Sequence, residues 1–195
     1  IVLFEWCMEE KCSRKQHEIL NAVIEALEEM EYTKLTIEDI AIRAGVGKST
    51  IYRWWKHKSD VIFSAFAYKT ESVFDLDFNQ SLKFNLQQQL LKLSHALSQG
   101  VGRALLVVMA EHRESAGKFF QQYLLPRREL VKKLLQNSIE RKEIIADYPF
   151  DIMLDSLYAP LHYQIIFFNK IPDEVYISKL VDFILNPILI KNSAE

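Results

Sequence analysis

Leu35-Thr36-Ile37-Glu38-Asp39-Ile40-Ala41-Ile42-Arg43-Ala44-Gly45-Val46-Gly47-Lys48-Ser49-Thr50-Ile51-Tyr52-Arg53-Trp54-Trp55-Lys56-His57-Lys58 is the stretch on which the fold turns. Ile37, Ile40, Ala41 and Ala44 recur at helical spacing and predict a short helix. Thr36 stands at its N-cap, where its oxygen accepts from a free backbone N–H. Asp39, three residues on, returns a bond in a variant of the capping box. Gly45 ends the helix, because a left-handed turn is cheap only for glycine, and Val46 turns the chain back to the core. A second short helix is expected over about Lys48 to Trp55, with Ile51 and Trp55 as its buried i, i+4 pair and Lys48, Ser49, Tyr52 and Arg53 facing elsewhere. Two short helices across a tight turn are a helix-turn-helix.

The charge of this segment is local. From Ile40 through Ser59 stand Arg43, Lys48, Arg53, Lys56 and Lys58 without an acid among them, in a chain of formal net charge −2. Such a face attracts duplex phosphates and releases their counterions. The segment Lys56-His57-Lys58-Ser59-Asp60 breaks the pattern and opens another helix, with Val61, Ile62, Ala65 and Phe66 inward. His57 and Ser59 both qualify as its cap, and capping chemistry alone favours Ser59.

Upstream, Ile19, Val23, Ala26, Leu27 and Met30 form a 3.6-residue stripe, with Glu18, Glu25, Glu28 and Glu29 on other faces, so a helix is expected from about Ser13 to Met30. Downstream, helices are expected at Leu82–Gln99, Gly102–His112, Ala116–Lys142, Phe150–Phe168 and Asp173–Leu185. Pro126 should kink or restart the third of these. Five glycines and five prolines in 195 residues are few, which favours long helices over many short strands, and the expectation is an all-α fold.

Composition removes several classes. At 49% hydrophobic and 26% charged the chain is globular rather than disordered. No apolar run approaches the roughly 20 residues of a membrane span, so no membrane partner is expected. Cys7 and Cys12 suit a reduced cytoplasmic interior and provide neither a disulfide framework nor a zinc site. No cofactor or metal is expected. A bundle enzyme is disfavoured: paired Glu-x-x-His motifs, a His-Glu-x-x-His zinc motif, a phosphate-binding glycine loop and a nucleophile elbow are all missing. The chain opens on Ile; residues 1–7 read as an addition ahead of a start at Met8 and stay out of the fold reading.

The Thr opening the helix, the Ile-Ala pair, the Gly-Val turn, the Thr-hydrophobic-Tyr, the aromatic and the Lys-x-Lys make the stretch resemble the DNA-binding signature of the TetR family, over about residues 14–66. The resemblance implies a DNA-binding regulator rather than an enzyme. It divides the chain into an extension over 1–12, a helix-turn-helix domain over 13–58 and a ligand-binding and dimerisation domain over 59–195. It implies phosphate contacts from Thr36, Tyr52 and Lys58, and it moves the helix cap to His57. Lys48, Ser49 and Arg53 would lie at or near the major groove, where a lysine or arginine reads guanine O6 and N7. Thr50, Lys56 and His57 complete the DNA-facing set, while Trp54 and Trp55 are expected in the core. Leu125-Pro126-Arg127-Arg128-Glu129-Leu130 and Ala159-Pro160-Leu161-His162-Tyr163 resemble one recurring subtype of the family's C-terminal domain, more loosely.

The function so implied is a ligand-responsive regulator, a repressor, that binds a pseudo-palindromic double-stranded operator as a homodimer. A small, largely apolar effector would release it. The aromatic-rich C-terminal half suggests Phe66, His95, Met109, His112, Phe119, Tyr123, Tyr158 and His162 as effector-binding residues. The apolar last two helices suggest Leu157, Pro160, Leu161, Phe168, Leu180, Phe183 and Ile184 as an isologous interface, two helices from each subunit.

Overall fold

Ile19, Val23, Ala26 and Leu27, the stripe that predicts the first helix, are buried along α1 (Arg14–Glu29) in the computed structural model, which describes residues 14–190. The extension 1–12 with Cys7, Met8 and Cys12, the expected helix start at Ser13, and residues 191–195 lie outside the described residues. The chain is all-α. The elements that follow are α2 (Ile37–Arg43), α3 (Lys48–Trp54), α4 (Lys58–Lys69), α5 (Leu82–Ser98), α6 (Gly100–Glu111), α7 (Arg113–Phe119), α8 (Leu125–Glu140), α9 (Phe150–Phe168) and α10 (Glu174–Leu185).

Two compact units emerge: residues up to Ser72 together with Ala96–Pro126, and Val73–His95 together with Arg127 onward. The functional boundary expected after residue 58 is a different partition, because compactness groups α4 and α6 with the helix-turn-helix. In the first unit α1 packs against α2, α4 and α6, and α4 packs on both α1 and α6. The chain enters α6 directly from the end of α5. A Cβ at Gly102 would lie 1.8 Å from the Ala96 carbonyl oxygen, so only glycine permits this close approach.

The turn after α2 follows the sequence reading. Gly45 has φ +63°, and the Val46 amide donates to Ala41 O at 2.9 Å, the six-to-one bond of a Schellman ending. Nothing lies within 4 Å of where a Gly45 Cβ would be. Gly45→Ala therefore tests backbone strain alone and should cost about 1–2 kcal/mol in chemical denaturation. An unchanged midpoint would mean that the turn tolerates a side chain in this conformation.

In the second unit α5, α8, α9 and α10 close on Leu86, Leu90, Leu134, Leu154, Leu157, Leu161, Val181 and Leu185. Arg128 joins α8 to α9 through Asp151 and Asp155, at 3.0 and 2.7 Å. Lys83 on α5 pairs with Asp182 on α10 at 2.6 Å. Asn169, at φ +50°, ends α9.

One expected helix is corrected. The span expected over Ala116–Lys142 starts earlier, at Arg113, ends at Glu140, and is helical throughout but not α-helical throughout: a π-helical turn over Phe120–Leu124 links α7 to α8. Within it the Leu125 amide donates to Phe120 O, five residues back. Pro126 has no amide to give the carbonyl of Gln122, and a widened turn just before a proline absorbs that loss without ending the helix.

Candidate nucleic-acid interface

Thr36 caps α2 as its sequence predicts: Asp39 N donates to Thr36 Oγ1 at 3.1 Å, and Thr36 N donates to Asp39 Oδ2 at 2.9 Å. Thr36 Oγ1 also donates its proton to Asp39 Oδ2 at 2.6 Å. A hydroxyl carries one proton, so Thr36 would reach a phosphate by exchanging this internal acceptor for an external one. On α3, Ile51 is buried and Trp55 follows it into the core, where its indole N–H donates to Ser64 Oγ at 2.8 Å. Trp54 is only half-buried and stacks edge-on to Trp55. With one side of α3 anchored, Lys48, Ser49, Tyr52 and Arg53 are exposed, Thr50 is half-buried, and Lys56 and His57 are exposed beyond the helix end.

His57, not Ser59, is the N-cap of α4: Asp60 reaches back to accept the His57 amide at 3.1 Å. Ser59 is buried, its hydroxyl 3.0 Å from that of Ser115. Capping chemistry alone favours Ser59, but tertiary burial of that hydroxyl decides for His57.

The basic face is less free than its sequence suggests. Arg43 makes a two-pronged pair with Glu29 on α1, at 3.1 and 2.6 Å. Lys48 pairs with Glu38 on α2. The Lys58 ammonium donates to Tyr32 O at 2.9 Å and Leu35 O at 2.8 Å, and lies 4.0 Å from the centre of the Tyr32 ring. Burial pushes its pKa below the usual lysine range, against the opposing pull of Glu111. Lys58 therefore faces inward to the turn between α1 and α2, whereas the resemblance implies a phosphate partner. Arg53 lies over the Trp54 ring at 5.3 Å. Glu38 and Tyr32 are the residues that sequence reasoning passes over. Glu38 carries no signal because an acid in the first turn of a helix is ordinary.

The candidate effector residues divide between the units. In the first, Phe66, Phe119 and Tyr123 are buried and packed ring on ring, with Phe63–Phe119 and Phe119–Tyr123 stacked at 4.8 and 4.6 Å. The Tyr123 hydroxyl bonds Thr70 Oγ1. Met109 is half-buried. His112 is exposed, 3.4 Å from the Tyr32 hydroxyl, and lines an open cleft of ≈ 710 Å³ with Lys58, Glu111 and Arg113. In the second unit His95 is exposed. Tyr158 donates to Gln89 Oε1 at 2.7 Å, and burial raises its pKa well above the usual tyrosine value. His162 Nδ1 lies 3.0 Å from Tyr158 O.

The candidate interface residues also separate. Leu157 and Leu161 are completely buried in their own subunit's core, so their side chains are not available to a partner. Pro160, Leu180 and Ile184 are half-buried. Phe168 is exposed, and Phe183 is 76% exposed. Residues absent from the expected set complete the surface: Ile152, Tyr163, Ile166 and Phe167 form one exposed stripe on α9, and Val175 stands two turns before Phe183 on α10. Among the described residues no helix is long and apolar enough to cross a membrane.

Two family models match the chain: "Bacterial regulatory proteins, tetR family" over residues 19–65, and "Tetracyclin repressor-like, C-terminal domain" over residues 79–184. An uncharacterised HTH-type transcriptional regulator of Mycobacterium bovis is 27% identical over 187 residues, covering 93% of this chain and 91% of its own. The TetR family transcription regulator SCO0332 superposes with TM-score 0.73 at 23% identity, covering 90% of this chain and 99% of its own. The fold is also that of the Bacillus subtilis regulator FadR, solved with stearoyl-CoA, at TM-score 0.57 and 19% identity over 86% of this chain and 96% of that one.

Proposed function

Because the chain belongs to the TetR family of DNA-binding transcriptional regulators, we propose that it is a cytoplasmic repressor that binds a pseudo-palindromic operator as a homodimer and leaves it when a largely apolar small molecule binds. The observation that carries the reading is the exposed set Lys48, Ser49, Tyr52 and Arg53 on a helix held from behind by Ile51 and Trp55. Lys48, Ser49 and Arg53 meet bases at or beside the major groove. Thr36, Thr50, Tyr52, Lys56, His57 and the N-terminal end of α4 at Lys58 meet the backbone. Selection of bound sequences from a random DNA pool, repeated at rising salt, tests this. Recovery of a two-fold motif with steep salt dependence is expected, and recovery of no preferred sequence would sink the reading.

The domain division, helix-turn-helix over 13–58 and sensor with dimer contacts over 59–195, belongs to the same proposal. The effector class draws support from the buried rings of Phe66, Phe119 and Tyr123 and from the stearoyl-CoA held by the B. subtilis FadR. Met109 and His112 in the first unit, and separately His95, Tyr158 and His162 in the second, are the polar and soft groups proposed to orient an effector within their own unit. Release acts through α4, which packs on α1 as well as on α6. An effector does this only by preferring the state that does not fit DNA.

Lys56 and Lys58 should behave differently. Lys56→Ala should weaken binding to all sequences and lower the salt slope by about one unit, with stability unchanged. Lys58→Ala should lower the slope by less and cost about 1–3 kcal/mol of stability, since it strips the charged donor from two backbone carbonyls. A full unit of slope lost at Lys58, with stability intact, would place its ammonium on a phosphate instead.

A further inference from the structure

Arg43, Lys48 and Lys58 each give N–H donors to an oxygen of this chain, and a donor so engaged must be released before it meets DNA. Arg53 is held in another way. Its guanidinium lies over the face of the Trp54 ring, 5.3 Å from the ring centre, and among the described residues no oxygen takes its N–H groups. Trp54 is itself fixed. It packs edge-on to Trp55 at 5.8 Å, and Trp55 is buried with its indole N–H on Ser64 of α4. The sequence suggests a core tryptophan, yet the Trp54 ring is only half-buried, at the last residue of α3 and beside an exposed arginine.

We infer that Trp54 is a positioning residue for Arg53 and thereby sets sequence preference: its ring holds the guanidinium by the face and leaves the N–H fork free for a base. The inference rests on the DNA-binding reading above. A cation–π contact draws on the charge of the guanidinium. A guanine is read by two N–H groups in the guanidinium plane, on O6 and N7. The two interactions do not compete, so the stack persists when Arg53 reads a base. Two effects then favour the operator. The ring contact strengthens as DNA displaces water from the guanidinium. A side chain already held in place loses less rotamer freedom on binding. Where no guanine stands, the held fork finds no paired acceptors, and Arg53 must leave the ring to reach a phosphate. Loss of the stack thus falls on random DNA and not on the operator, and the difference between affinities widens.

The test uses the full-length protein, a duplex that the wild type selects from a random pool, and a scrambled duplex of the same length and composition. Trp54→Leu keeps an apolar side chain beside Trp55 and removes the π face. It should weaken binding to the selected duplex about two- to tenfold and leave binding to the scrambled duplex unchanged or slightly tighter. Trp54→Phe, which keeps a weaker face, should fall between Trp54→Leu and the wild type. In an Arg53→Ala background, Trp54→Leu should change neither affinity. That background separates a role through Arg53 from a folding defect or a DNA contact made by Trp54 itself. An equal loss on both duplexes, no loss on either, or a loss that persists without Arg53 would each overturn the inference. A wild-type protein that selects no sequence would overturn the DNA-binding reading, and the inference with it, before Trp54 is altered.

Discussion

Replacing Phe167 and Phe183 with aspartate is expected to yield a folded monomer whose operator affinity is lower by at least about a hundredfold, the scale on which paired engagement exceeds a single module. Both rings are largely solvent-exposed in the single chain, Phe167 at 72%, so their removal leaves the subunit's own core intact. In a dimer they would lie against the partner's α9 and α10, where a buried, unpaired carboxylate is strongly disfavoured. In the proposed homodimer two recognition helices would sit roughly 34–36 Å apart to enter successive major grooves, since one alone covers too little DNA. Sedimentation and operator titration together decide the matter. A variant that still sediments as a dimer with wild-type affinity would put the interface on another face.

Phe119→Ala should be among the most damaging single truncations in the first unit, at about 3–5 kcal/mol. Phe119 stacks on Phe63 and Tyr123 and meets Phe66 edge-on, so its loss leaves three rings facing a void. Phe119→Leu should restore much of the stability. If Phe119 also touches the effector, the leucine variant should bind DNA normally and respond less to the effector. A thermal midpoint within a degree of wild type for Phe119→Ala would mean that the cluster is not a packed core.

The helix-turn-helix was largely legible in the residues themselves. The Thr36–Asp39 cap and the Gly45 turn depend on bonds between residues at most five apart, and the Ile51–Trp55 anchor shows as a four-residue apolar spacing. Spacing in the chain therefore encodes them directly. The π turn within the expected Ala116–Lys142 helix was half legible: Pro126 marks a disturbance, but whether the chain kinks, restarts or widens into a π turn depends on what its side chains pack against. On α9 apolar residues lie on every face, from Met153 and Leu157 inward to Ile166 and Phe167 outward. Periodicity there carries no direction, which is why Leu157 and Leu161 read as readily for a partner surface as for a core.

Charge shows the division most clearly. The sequence by itself determined an all-α regulator of the TetR family and where its recognition helix begins and ends, because those features rest on local hydrogen bonding and on a contiguous signature. Which cations remain available to DNA was decided only by the tertiary structure. The run from Ile40 to Ser59 holds five cations and no acid, yet Glu29 reaches Arg43 from fourteen residues away and Glu38 reaches Lys48 from ten. The carbonyls of Tyr32 and Leu35 hold Lys58 from twenty-six and twenty-three residues away. A charge responds to whatever lies within a few ångströms in space, and folding brings there residues that the linear run does not contain.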